Sequence, residues 1–88
     1  MSNTIGGNIP ELESLSSSLE KCSGDVTDIL TQLNGDLGNT WWVGGAADRF
    51  RTDWESEYQP ALRSLSQALT DASTEVNRRL TALEEVGG

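Results

Sequence analysis

Trp41-Trp42-Val43-Gly44-Gly45-Ala46-Ala47 lies near the middle of the chain and indicates where the chain turns back on itself. On both sides of it, apolar residues recur every three or four positions, which is the spacing of amphipathic helices. Adjacent glycines allow the backbone to reverse, and the indole rings beside them give the reversal a surface to pack on. The sequence therefore predicts an all-α, antiparallel helical hairpin with a Trp-x-Gly elbow.

The first segment predicts a helix over about residues 9–35. Pro10 is compatible with the first turn of a helix, Asn8 is a suitable N-cap, and Glu11 complements the positive end of the helix dipole. The polar residues between the apolar positions, such as Ser16, are expected on a solvated face. The apolar positions alternate steps of three and four, the a/d pattern of a coiled-coil seam: Leu12, Leu15, Leu19, Cys22, Val26, Ile29 and Leu33.

The second helix is predicted over about residues 45–84, after an elbow over about residues 36–44. Gly35 and Gly38 are interpreted as the stop of the first helix. Because Pro60 interrupts the backbone hydrogen bonds, it predicts either a kink or a junction of two helices at Glu57-Tyr58-Gln59. The kink is favoured, because the apolar spacing continues through Pro60. The apolar stripe of this helix is wider than a two-helix seam requires, which is typical of a four-helix bundle.

A chain of 88 residues forms one small domain over residues 1–88, with termini that we expect to be disordered. Such a chain has little room for a core, and its single cysteine excludes an intrachain disulfide. A second chain is the remaining route to stability, so the hairpin is predicted to dimerise into a four-helix bundle. The residues predicted at the dimer or hairpin interface are Leu15, Leu19, Val26, Ile29, Phe50, Trp54, Leu62, Leu65 and Leu69.

Composition argues against several classes of function. The net charge of −8 opposes binding to nucleic acid and to anionic membrane surfaces, and no stretch has the length of a membrane span. The N-terminus lacks the cationic start and apolar core of a secretory signal peptide. Histidine is absent, so the commonest general base and a metal ligand set are both missing. We expect no enzyme activity, no metal and no cofactor.

A few residues carry individual interpretations. Cys22 falls on a seam position and is interpreted as a small buried hydrophobic residue, with a reactive or pairing thiol as the alternative. Trp42 is expected to close the hairpin end, whereas Trp41 faces either solvent or a partner. Glu75 and Arg79 predict an i,i+4 pair worth about 0.2–0.5 kcal/mol. Arginines interleaved with acids near the elbow predict a salt-bridged face: Arg49, Arg51 and Arg63.

The motif Trp42-x-Gly44-x-Ala46-Ala47-x-x-Phe50 resembles that of the WXG family of small ESAT-like proteins. Trp54 and the segment Tyr58-Gln59-Pro60-Ala61-Leu62 are similar to the residues found after the motif in many members. The resemblance extends over about residues 9–83 and implies a helical hairpin that dimerises into a four-helix bundle. It also implies export of the folded pair by the type VII (ESX or Ess) secretion system, with Trp42 and Gly44 in the mark that a membrane ATPase recognises.

The resemblance implies a small secreted substrate without catalytic activity, paired with itself or a paralogous WXG protein, with a cytoplasmic pool before export. A second hypothesis is an adaptor or chaperone that pairs with a larger type VII effector or toxin, and a third is a helical bundle unrelated to secretion. The family's Tyr-x-x-x-Asp/Glu tail is not found after the second helix, because the only tyrosine, Tyr58, lies mid-helix. A partner supplies that tail, the bundle surface is recognised instead, or this copy is not exported.

Overall fold

A computed structural model describes residues 6–85 of the chain as two antiparallel helical arms. In chain order, the elements are α1 (Ile9–Asn39), α2 (Gly45–Asp53), a π-helical segment (Trp54–Tyr58) and α3 (Gln59–Glu85). The predicted all-helical hairpin is confirmed, and the described part of the chain contains no strand. The disorder expected at the termini concerns residues 1–5 and 86–88, which lie outside the described residues.

Helix α1 begins with the predicted cap. The side-chain oxygen of Asn8 accepts a hydrogen bond from the backbone N–H of Glu11 at 3.0 Å, which satisfies one of the free donors of the first turn. Pro10 occupies that turn, where its missing N–H leaves no hydrogen bond unmade. The acidic side chain of Glu11 adds a favourable interaction with the positive end of the helix dipole.

The end of α1 lies further along the chain than the sequence indicates. The helix continues through Gly35 and Gly38 to Asn39, and Thr40 closes it by donating its N–H to the carbonyl of Leu37 at 3.3 Å. Leu37, in the last turn, is half-buried. Packing of an apolar side chain stabilises a helix, so the last turn remains helical although it contains Gly38 and follows Gly35. The elbow is correspondingly shorter than predicted and comprises residues 40–44.

Pro60 lies in the first turn of α3, directly after the π-helical segment. The N–H of Gln59 donates to the carbonyl of Trp54, five residues earlier, whereas an α-helix spans four. Proline has no N–H to donate, and its ring crowds the carbonyl four residues before it. The wider π-helical turn accommodates the proline, so the second arm remains helical from Gly45 to Glu85.

The two arms meet along a row of serines, which we call the serine seam: Ser16, Ser23, Ser66 and Ser73. The hydroxyl of Ser23 donates to the carbonyl of Ser66 at 2.8 Å, and the hydroxyl of Ser66 donates to the carbonyl of Ser23 at 3.1 Å. Two turns further from the elbow, Ser73 donates to the carbonyl of Ser16 at 3.1 Å. Such short side chains reach the opposite backbone only because the two helices lie close together.

The serine seam corrects one prediction. The sequence predicts Ser16 on a solvated face, but only 5% of it is exposed, compared with 8% for Ser23 and 1% for Ser73. On α1, Ser16 and Ser23 each come one position after a residue of the predicted apolar stripe, Leu15 and Cys22. The side of α1 that faces α3 is therefore the side on which these serines lie. The side-chain oxygens buried in the described residues all have hydrogen-bond partners, so the polar seam carries no unpaired group.

Apolar burial within the hairpin is small. Among the described residues, Leu30 and Ala47 alone are buried apolar side chains. The accessible surface is 6520 Å², whereas a compact monomer of 9.5 kDa exposes about 5,000 Å². The molecule is a rod of 63 × 25 × 17 Å, and its two arms form one layer of helices. A helical layer normally needs a second layer to cover its apolar side.

Candidate interaction face and elbow

The apolar residues of α1 leave one row on the outside of the hairpin. Leu15 directly precedes the buried Ser16, and Ile29 directly precedes the buried Leu30. Leu15 is 46% exposed and Ile29 is 48% exposed. Successive residues of an α-helix are about 100° apart, so this row lies to one side of the contact with α3.

Helix α3 repeats the same arrangement. Leu65, which is 48% exposed, directly precedes the half-buried Ser66, and Ala72 directly precedes the buried Ser73. In both helices, the exposed residue comes one position before a residue that contacts the other arm. Because the two helices are antiparallel, this places the exposed rows of both helices on the same side of the hairpin. We call this side the apolar face. Its exposed large side chains are Leu15, Ile29, Leu33, Phe50, Tyr58 and Leu65.

The nine predicted interface residues fall into two groups by their burial in the hairpin. Those next to the serine seam are half-buried: Leu19, Val26, Trp54, Leu62 and Leu69. The remaining four are exposed members of the apolar face: Leu15, Ile29, Phe50 and Leu65. The prediction that Cys22 is buried is wrong for the single hairpin, because Cys22 is exposed. It lies seven residues from both Leu15 and Ile29 and belongs to the same outer row.

Aromatic rings continue the apolar face towards the elbow. The centroid of Phe50 lies 5.6 Å from that of Trp42 and 6.3 Å from that of Tyr58, with tilted ring planes. Tilted aromatic pairs at such separations contribute about 0.5–1.5 kcal/mol beyond burial. Beside the rings is an open cleft of about 180 Å³, which aromatic and leucine side chains line together with two polar residues: Leu33, Asp36, Leu37, Thr40, Phe50 and Trp54.

The opposite side of the hairpin is polar. On this side, polar residues directly follow positions that contact the other arm, as in Thr31 after the buried Leu30 and Gln67 after the half-buried Ser66. An open groove of about 360 Å³ between the arms contains these residues and Arg63. The hairpin therefore has one polar side and one apolar side.

The elbow is built around a backbone conformation that favours glycine. Gly44 has φ 119° and ψ 176°, and the other described residues, apart from glycine, have negative φ. Its carbonyl accepts the N–H of Asp48 at 3.0 Å, which starts α2. Trp42 packs on Phe50 and is 40% exposed, whereas Trp41 is 87% exposed and projects from the tip.

Arg51 contacts the elbow and does not join a salt-bridged face. Its Nη1 donates to the carbonyl of Trp42 at 2.8 Å, and its Nη2 lies 3.4 Å from the carbonyl of Thr40. The prediction of a salt-bridged face of Arg49, Arg51 and Arg63 is wrong, because the ion pairs of the described residues lie elsewhere.

The ion pairs that do form lie on exposed helix surfaces. The predicted pair of Glu75 and Arg79 is confirmed, with 2.8 Å between Oε1 and Nε, and Arg78 contacts the same carboxylate. Lys21 donates to Asp25 at 3.0 Å. This hydrogen bond, together with the charge of Asp25, raises the pKa of Lys21 above its usual value.

Residues 6–85 contain no group of three or more His, Cys, Asp or Glu side chains that is arranged to hold a metal ion. Over the same range, no helix combines the length and the apolar character that crossing a membrane requires.

The sequence model of the WXG100 family, described as proteins of 100 residues with WXG, matches residues 4–87. The chain belongs to the WXG100 family. WXG100 proteins are ESAT-like type VII secretion substrates, a helical and non-catalytic family whose members typically pair with themselves or with paralogues. Comparisons with curated proteins and with solved structures gave no match. The Trp and Gly of the WXG100 motif are Trp42 and Gly44, at the elbow.

Proposed function

We propose that this WXG100 chain is a small substrate of the type VII secretion system that is exported as a folded dimer and has no catalytic activity. Family membership supports export. The observation that supports pairing is the distribution of polarity in the hairpin, because serine hydroxyl groups occupy buried positions between the arms while the large side chains of the apolar face are exposed. A water-soluble hairpin that stands alone normally has the reverse arrangement.

The areas agree with a partner on the apolar face. The chain exposes about 1,500 Å² more than a compact monomer of its mass, from 6520 Å² against about 5,000 Å². A standard protein interface removes about 800 Å² from each partner, and permanent dimers remove more. The excess is therefore large enough for one such interface.

The energies agree as well. Full burial of a large apolar side chain contributes about 1.5–3 kcal/mol, and the six exposed members of the apolar face are 38–49% exposed. Burying the remaining half of each, on two chains, gives about 9–18 kcal/mol. Association costs roughly 4–15 kcal/mol, so the contribution of the apolar face is of the size that a dimer requires.

We propose that the partner is a second copy or a paralogous WXG protein, and that two hairpins form a four-helix bundle. The adaptor hypothesis uses the same face, because a larger type VII effector with a helical hairpin would cover the same side chains. The elbow at the end of the rod remains available in either case. We infer that Trp42 and Gly44 there form part of the mark recognised by the secretion ATPase, which acts on a cytoplasmic pool of the pair.

The pairing is tested by placing a charge on the apolar face. Leu65→Asp should convert the dimer to a monomer in light scattering at micromolar concentration, because a buried unpaired carboxylate opposes association. Ser64→Asp is the matched control, since Ser64 is an exposed neighbour in the same helix and the added charge is identical. A monomeric mass for the folded wild-type chain alone excludes the homodimer, and a dimeric Leu65→Asp variant excludes the apolar face as the interface.

Export is tested by immunoblotting culture supernatants of the native host with and without the type VII ATPase. The proposal expects the chain outside the cell only when the ATPase is present. Accumulation in both strains would remove type VII export from consideration. Co-purification with a long effector, combined with retention of the chain in the cytoplasm when that effector gene is deleted, would favour the adaptor.

A further inference from the structure

We propose that Arg51 is a positioning residue for the elbow, which it holds in the form presented to the secretion machinery. This inference rests on the proposed role of Trp42 and Gly44 in recognition. Arg51 lies outside the Trp-x-Gly motif and reaches back nine residues to the carbonyl of Trp42 and eleven to that of Thr40. It is half-buried, whereas Arg49 on the same helix is exposed.

The need for such a residue follows from how α1 ends. The last turn of a helix leaves carbonyl groups without backbone donors and carries partial negative charge. Helix α1 has no basic residue in its last turn, and Thr40 caps it in an extended conformation. The guanidinium of Arg51, from the other side of the elbow, places a cation beside this helix end, with Nη2 3.4 Å from the carbonyl of Thr40.

Backbone contacts leave the middle of the elbow unsupported. The backbone hydrogen bonds described there involve Thr40 at one end and Gly44 at the other. Between them, Trp42 is held by its tilted ring contact with Phe50 and by the hydrogen bond from Arg51 to its carbonyl. The conformation of Trp41 to Val43 therefore depends on two side chains of α2.

Arg51 acts from a helix that is itself fixed. The indole N–H of Trp54, directly after α2, donates to the side-chain oxygen of Asn34 on α1 at 2.7 Å. This contact joins the second arm to the first below the elbow, so the guanidinium approaches the elbow from a defined direction. Its planar, forked donors can reach two carbonyls at once, which a lysine ammonium on a flexible stem does not reproduce.

The experiment compares Arg51→Met with Arg49→Met, which removes the same charge from a neighbouring position of α2. The first measurement is the NMR order parameter of the Val43 and Gly44 amides in the intact protein. We expect values of about 0.85 in the wild type and the Arg49→Met variant, and below about 0.6 in the Arg51→Met variant. Helix content by circular dichroism and the oligomeric mass should be the same in all three. The second measurement is the amount of exported protein, which should fall at least several-fold for Arg51→Met alone.

Order parameters that are unchanged in Arg51→Met would overturn the inference. So would a mobile elbow with full export, because the position of the elbow would then not matter to the machinery. If Trp42→Ala and Gly44→Ala are exported normally, the recognition role in the proposed function fails, while the order parameters still decide whether Arg51 holds the elbow. If Arg51→Met loses helix content, Arg51→Lys is measured in its place, because it retains the charge. The inference expects low order parameters at Val43 and Gly44 in Arg51→Lys, and wild-type values there would overturn it.

Discussion

Replacing Gly44 by alanine should destabilise the protein, although the new methyl group meets no obstacle. A Cβ atom built on Gly44 has no neighbour within 4 Å, so no steric clash with other residues contributes. The whole effect comes from the backbone, because φ 119° with ψ 176° is a region that is essentially restricted to glycine. Holding another residue there costs about 1–3 kcal/mol.

Gly35→Ala is the matched control for this change. Gly35 also has no neighbour within 4 Å of a built Cβ, but it lies within α1, one turn before the helix ends at Asn39. Alanine is about 0.8–1.0 kcal/mol more favourable than glycine within a helix, so this variant should be more stable than the wild type. The same chemical change is therefore expected to have opposite signs at the two positions.

The assay is urea unfolding followed by circular dichroism at one fixed protein concentration, because association makes the apparent stability depend on concentration. The expected difference in free energy of unfolding between the two variants is about 2–4 kcal/mol. Equal shifts for both variants, or a Gly44→Ala protein at least as stable as the wild type, would show that the elbow does not require its backbone conformation.

Three further changes probe other contacts. Ser73→Ala removes the hydroxyl that donates to the carbonyl of Ser16 and should lower the free energy of urea unfolding by about 0.5–1.5 kcal/mol, and no loss would mean that the serine seam adds no stability. Trp54→Phe removes the 2.7 Å hydrogen bond to Asn34 and should cost a similar amount in the same assay, with an unchanged midpoint as the contrary result. Cys22 should react slowly with a thiol reagent in the dimer and several-fold faster in the Leu65→Asp variant, because only pairing covers its row; equal rates would place the interface elsewhere.

The local features of the fold were accessible from the sequence. The spacing of apolar residues predicted both arms, the Asn8 cap and the Glu75–Arg79 pair depend on residues within four positions, and the Trp-x-Gly motif identified the elbow and the family. These signals are short-range, so a single sequence contains them. The prolonged end of α1 was missed because glycine is tolerated within a helix when neighbouring side chains such as Leu37 make contact.

The sequence did not show which side of each helix faces the other arm and which side remains exposed. Helical periodicity identifies a stripe but does not say which neighbour covers it, and a serine beside it is normally solvated. Ser23 and Ser66 are 43 residues apart, so their reciprocal hydrogen bonds require knowledge of how the arms align. Their repetition at seven-residue intervals in Ser16 and Ser73 was the available hint. Arg51 was missed for the same reason, because its partners lie across the elbow and not among its acidic neighbours.

The π-helical segment before Pro60 also sets the angular phase of the second arm. One surplus residue in a turn rotates the preceding helix by about 100° relative to the following one. That rotation sets the side of the second arm on which the buried Ala47 and the ring of Phe50 lie relative to α3. Inserting or deleting a single residue elsewhere in this arm would turn the rings off that side. A deletion within residues 54–58 that is combined with Pro60→Ala should instead restore a regular helix with its phase intact.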